Sequence, residues 1–301
     1  MSDQREILAQ WSQSQGNLRR FLEDRVIPPL DDDAQRTAGR QKITPPDPEI
    51  PQDTEAAAFF DVDNTLIQGS SLILLAQGLF KKRFITLSEL VPALRKQIRY
   101  RVSGSENADD IAEGREQALA VVKGKSVAEL KQACREIVDN RMLEKSYADT
   151  IELAAMHLAA GQQVWLVSAT PVQIGQALAE TLGFTGALGT VAEEEDGKFT
   201  GRLVGDILHG PGKKHAVAAL AALQQLDLSK CTAYSDSIND LPMLEMVGSP
   251  VAINPDRALR KHAKAQGWAV RDYRSVRRVV RAGVIPAALG VAGLWWWRRR
   301  R

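Results

Sequence analysis

Four short stretches of this 301-residue chain carry side chains able to do chemistry together. The first is Asp61-Val62-Asp63-Asn64-Thr65, with two carboxylates one residue apart directly after the apolar run AAAFF. Where a strand ends, two such carboxylates can face one point, one as nucleophile and the other as acid or base. Asn64 and Thr65 add polar groups for a phosphate or substrate. The second stretch is Ser168-Ala169-Thr170, a hydroxyl and backbone N–H groups leading into a helix start, which suits an anion. The third is Lys213, at the start of a helical pattern after His209-Gly-Pro-Gly; Lys214 beside it is the second choice. The fourth is Asp236-Ser-Ile-Asn-Asp240, two more carboxylates after the apolar run CTAY. Three or four aspartates around one lysine repel one another unless a cation joins them. A hard, oxygen-liganded ion such as Mg²⁺ meets that need and serves phosphoryl chemistry.

These groups can converge only if the elements before them end at one edge. Short apolar runs closed by polar residues read as buried parallel strands at 56–61, 162–170, 231–237 and 250–254. Helical patterns lie between them at 172–182, 213–226 and 238–246. An Asp196-Gly197 turn between alternating stretches reads as a hairpin. Strands alternating with helices predict an α/β fold with a doubly wound, Rossmann-like parallel sheet, whose ligands sit at the carboxyl ends of the strands.

The spacing predicts more. A crossover between parallel strands needs about 30 residues, yet Asp61 and Ser168 stand 107 apart. The interval holds only helical patterns, near 70–80, 86–102, 107–122, 126–143 and 146–160. The last can serve as the crossover. The remainder is expected to be an inserted, all-helical cap above the ligand edge. The expected organisation is therefore a helix and proline-rich linker (1–55), a catalytic core (56–66 and 146–275), a cap (67–145) and a tail (276–301).

The ordered set DVDNT, Ser168, Lys213 and SDSINDLPML resembles the four motifs of the haloacid dehalogenase superfamily. A helical cap after the first motif resembles its phosphoserine-phosphatase-like branch. The resemblance implies a Mg²⁺-dependent phosphomonoesterase in which Asp61 takes the phosphoryl group and Asp63 is the acid/base. It further implies that Asp61, the Asp63 carbonyl and Asp236 hold Mg²⁺ with support from Asp240, and that Ser168 and Lys213 hold phosphoryl oxygens. One position departs: Ser70 stands where that branch typically carries a Glu reading the substrate's amino group. The motifs thus imply the chemistry without implying phosphoserine. The expected substrate is a small or lipid-linked phosphate ester. A phosphotransferase handing the group to an alcohol would carry the same motifs, and a membrane-tethered binding protein with an inactive site is a further alternative.

Composition sets the outer bounds. At 44% hydrophobic and 25% charged, the chain is of globular type, neither fibrous nor wholly disordered. Cys134 and Cys231 lie 97 positions apart, which suggests neither a disulfide framework nor a cysteine zinc site. The first residues lack a basic start followed by an apolar run, so the cytoplasm is the expected compartment. The net charge of +2 conceals +12 from Arg257 onward and −10 before it. Residues 282–297 form an apolar run of about 24 Å if helical, short of a ~30 Å bilayer core. Its three tryptophans abut four terminal arginines, so the tail is expected to meet an anionic membrane surface. Charge gathered around tryptophans rather than a folded recognition element argues against a nucleic-acid partner. The cap segment from Lys81 to Arg101, with seven basic residues and one acid, is a weaker sign of an anionic substrate.

Overall fold

The structure is a computed structural model that describes residues 50–86, 119–204 and 207–274. The N-terminal helix and linker up to residue 49, the cap helices expected at 86–102 and over most of 107–122, and the tail from 275 lie outside the described residues.

The core begins with β1 (Ala57–Asp61), whose five residues are all buried. After it come α1 (Ser71–Lys81), α2 (Val127–Ile137), a π turn (Val138–Met142), a 3₁₀ turn (Leu143–Lys145) and α3 (Ala148–Ala159). The chain then re-enters the core as β2 (Gln163–Pro171), α4 (Val172–Leu182) and β3 (Gly186–Thr190). A hairpin of β4 (Ala192–Glu195) and β5 (Lys198–Leu203) follows. The fold closes with α5 (Pro211–Leu223), β6 (Thr232–Ser235), α6 (Leu241–Leu244), β7 (Ser249–Ile253), α7 (Arg257–Ala265) and β8 (Ala269–Arg271). The six core strands form one parallel sheet in the order β3-β2-β1-β6-β7-β8. This is a doubly wound α/β sheet, with the order reversing at β1, where a crevice for ligands opens.

Alternate side chains of β1 feed two cores. Phe60 joins the core shared with the helical insertion, and Phe59 joins the core under α5 and α7. The outer strands depart from simple apolar runs. β3 is Gly-Ala-Leu-Gly-Thr, and a Cβ at Gly186 would lie 2.6 Å from the ring of the fully buried Trp165. The close approach of that indole explains a glycine inside a strand.

Among the described residues, backbone hydrogen bonds tie the insertion down at two places. Its two crossings run side by side, with the Gln68 N–H donating to the Lys145 carbonyl at 2.8 Å and a bridge joining Ile67 to Ser146. The β4–β5 hairpin forms the second attachment. Gly124 N–H donates to Phe199 O (2.7 Å), Phe199 N–H to Lys125 O (3.1 Å) and Val127 N–H to Gly197 O (3.0 Å). The helix expected over 126–143 is shorter than its pattern: Ser126 caps its start by accepting from Glu129 N–H, and the backbone passes into the π turn after Ile137. Among the described residues, no helix is long and apolar enough to cross a membrane.

Candidate active site

Strand register assembles the site. Asp61 lies opposite Val167, one residue before Ser168, and Phe60 lies opposite Tyr234, two residues before Asp236. Asp61, Ser168 and Asp236 therefore stand at one level of the sheet's carboxyl edge, Ser168 still within β2. Lys213 arrives from the first turn of α5, which Pro211 starts. The approach is tight, because a Cβ at Gly212 would meet the Ile207 carbonyl oxygen at 2.5 Å.

The Lys213 ammonium bridges two carboxylates, donating to Asp61 Oδ1 at 2.5 Å and Asp240 Oδ2 at 2.7 Å, with all three side chains buried. Lys214 is not part of this cluster. Ser235 Oγ also donates to Asp240 Oδ2, at 2.7 Å, so this carboxylate is held from two sides. Burial pushes Asp61 up to about 7 against the pull of Lys213. Burial and the charge of Asp61 push Asp236 up to about 8, while a hydrogen bond from Asn64 opposes the rise. Burial alone would lower Lys213, but Asp61 and Asp240 hold it above its ordinary value.

One ammonium faces several carboxylates here; burial first, and neighbouring carboxylates second, keep Asp61 and Asp236 above the usual carboxylate range. The donor set, all oxygen and anionic, fits a hard divalent cation. Among the described residues, no three His, Cys, Asp or Glu side chains converge in ligand geometry. A Mg²⁺ ion needs only one or two carboxylates, with carbonyls and waters completing its shell.

The remaining expected residues have distinct places. The Asp63 carboxylate accepts from both the backbone N–H (2.9 Å) and the hydroxyl of Ser71, the first residue of α1. Ser168 Oγ lies 2.8 Å from Thr170 Oγ1 and accepts from the Thr170 N–H, which prepares a buried hydroxyl pair ahead of α4. Ser70 is partly exposed and precedes α1 without a side-chain capping bond.

Asn64 and Thr65, expected to touch phosphate or substrate, also hold the loop. Asn64 takes a left-handed backbone (φ 55°), accepts from Gly69 N–H on Oδ1, bonds Asp236, and receives Asn254 Nδ2 on its carbonyl at 2.8 Å. Thr65 is fully buried, and its carbonyl accepts from Thr150 Oγ1 at 2.8 Å. A chain that turns sharply out of β1 must satisfy these backbone groups locally.

Reading the motifs alone misses Ser71, Ser235, Asn254 and Asp256. Asp256 pins the fourth motif, its carboxylate accepting from Ile238 N–H at 2.9 Å and its own N–H donating to Asp236 O at 2.7 Å. Only Ser235 had a signal available, its place inside the YSDS run.

A doubly wound sheet with buried aspartates and a lysine at its switch point, beneath a helical insertion, is the arrangement of a hydrolase of α/β fold whose site lies at the carboxyl edge of its strands. Residues 58–245 match the haloacid dehalogenase-like hydrolase family, and the chain belongs to it. A phosphoserine phosphatase of Mycobacterium tuberculosis, SerB1, is 53% identical over 248 residues, 82% of this chain and 80% of its own. A histidinol-phosphatase of Neisseria meningitidis is 32% identical over 221 residues, covering 72% of this chain and 98% of its own. A solved structure from Bordetella pertussis, of a protein of unknown function, superposes with a TM-score of 0.64 at 30% identity and covers 72% of this chain and 98% of that one. With these relatives, the chain is a phosphatase.

Proposed function

We propose that the chain hydrolyses a small phosphomonoester through an aspartyl phosphate on Asp61. The observation that carries this reading is the buried bridge from Lys213 to Asp61 and Asp240 at the sheet's switch point. In the first step, Asp61 attacks phosphorus while Lys213 and Ser168 steady the phosphoryl oxygens and Asp63 gives a proton to the leaving alcohol. In the second, Asp63 takes a proton from the attacking water and Asp61 is released. Asp61, Asp236 and the Asp63 carbonyl, with Asp240 in support, would hold Mg²⁺. When bound, that ion supplies charge neutralisation for the phosphoryl oxygens and lowers the pKa values of its carboxylates.

The two enzymes named above suggest the substrate class. Phosphoserine and histidinol phosphate are both small phosphate esters that carry an amino group near the phosphate. We therefore read the substrate as a small, amine-bearing ester ahead of a lipid-linked one. We also retain the C-terminal run and its arginines, outside the described residues, as a contact for an anionic bilayer in an otherwise cytoplasmic enzyme.

The decisive experiment is Asp61→Asn, which keeps size while removing the attacking charge. Turnover of p-nitrophenyl phosphate should fall by about three orders of magnitude or more, with thermal unfolding still cooperative. Retained hydrolysis in a folded variant would sink the assignment.

A further inference from the structure

Two glutamine amides near the start of α4 have no evident work. The Nε2 atoms of Gln173 and Gln176 are enclosed, and neither has a hydrogen-bond partner among the described residues. Gln173 as a residue is 3% exposed. Burying an amide donor without an acceptor is costly, so a native chain that does so twice within one turn calls for an explanation.

Their place in the fold supplies one. Gln173 is the second residue of α4, which begins where Ser168 and Thr170 end β2, and Pro171 gives the helix no side-chain cap. The first-turn N–H groups therefore also lack a capping acceptor from that side chain. Around the helix, Gly175 faces the sheet, with its Cβ position 3.1 Å from Ala187. The opposite arc faces the insertion: Glu180 pairs with Arg135 of α2 at 3.9 Å, and Thr181 Oγ1 donates to Asp139 of the π turn at 3.5 Å. At 100° per residue Gln173 falls within that arc, two turns nearer the helix start, with Gln176 at its flank. Helical side chains lean toward the N-terminus. Gln173 thus closes the seam between core and insertion at the end nearest Ser168, directed toward the carboxyl edge of the sheet.

We propose that Gln173, backed by Gln176 and the N-terminus of α4, is a specificity-determining residue that donates to an acceptor oxygen, a carboxylate, on the alcohol part of the phosphomonoester. Amide donors beside the positive end of a helix suit an anion. The inference rests on the phosphatase reading above and deepens it by assigning a group beyond the phosphate.

O-phosphoserine and O-phosphoethanolamine differ by that carboxylate and test the proposal directly. The readout is the ratio of their kcat/KM values, with p-nitrophenyl phosphate as a third ester. Wild type should favour phosphoserine. Gln173→Leu, which keeps bulk and removes the donors, should lower the ratio by about ten-fold or more, and Gln173→Glu should lower it further by repulsion. A structural defect would depress both substrates together and leave the ratio unchanged, which would overturn the proposal. So would a wild type that turns over p-nitrophenyl phosphate but shows no preference for the carboxylate. A wild type inert toward all three esters removes the phosphatase reading and this inference with it.

Discussion

At the scale of residues, the site takes carboxylates out of water and sets them beside one another. Asp61 and Asp236 ordinarily titrate near 3.8, yet in the fold they sit near 7 and 8, chiefly because burial penalises the charged forms. Between about pH 4 and pH 8 the native state therefore holds protons that the unfolded chain has released. Stability falls as pH rises wherever the native state binds more protons. Without divalent ions, the melting temperature contributed by this site should be higher at pH 5.5 than at pH 8. Added Mg²⁺ must displace those protons at the lower pH and finds the carboxylates ionised at the higher. The Mg²⁺-induced rise in melting temperature should then be larger at pH 8, as thermal scans would show. An equal rise at both pH values would mean that these two carboxylates are not the ion's ligands.

At the scale of elements, close packing around Trp165 governs the outer sheet. Gly186→Ala places a methyl 2.6 Å from the Trp165 ring, which has no room to move. Overpacking of this kind costs about 1–3 kcal/mol. The urea midpoint should fall with the slope unchanged; an unchanged midpoint would show that the indole can yield. This packing also shows what a sequence can and cannot reveal. β1, β2, β6 and β7 were legible because each lies in a short, mostly apolar stretch closed by polar residues. β3 was not, since its Gly-Ala-Leu-Gly-Thr sequence is shaped by an indole some twenty residues upstream. Three-residue β8 is too short for any pattern. The pattern over 126–143 ran past the true end of α2 because Val138 and Met142 stay buried through the π turn. The meeting of Asp61 with Lys213 and Asp240 was legible from motif order and strand ends. The loop-holding work of Asn64 was not, because its partner Asn254 lies 190 positions away.

At the scale of the whole molecule, the acidic body and the basic C-terminus pose a question of address. Removing residues 282–301 deletes the apolar run and the terminal arginines and no proposed catalytic group. Each basic residue near an anionic surface contributes about 1 kcal/mol of attraction. Full-length protein should sediment with acidic vesicles at low salt and the truncated protein should not, while both hydrolyse a soluble ester. Full-length protein left in the supernatant would end the membrane reading. The two attachments of the helical insertion bear on a different property, its mechanics. A body joined to another at one point can swing in every direction, but one tied by backbone bonds at two separated points turns most readily about the line through both. Here those points are the paired crossings at Ile67 and Ser146 and the hairpin tip at Gly197. Turning about that line has to part α2 and the π turn from α4, so the Arg135–Glu180 pair and the Thr181–Asp139 hydrogen bond are contacts that such an opening must break.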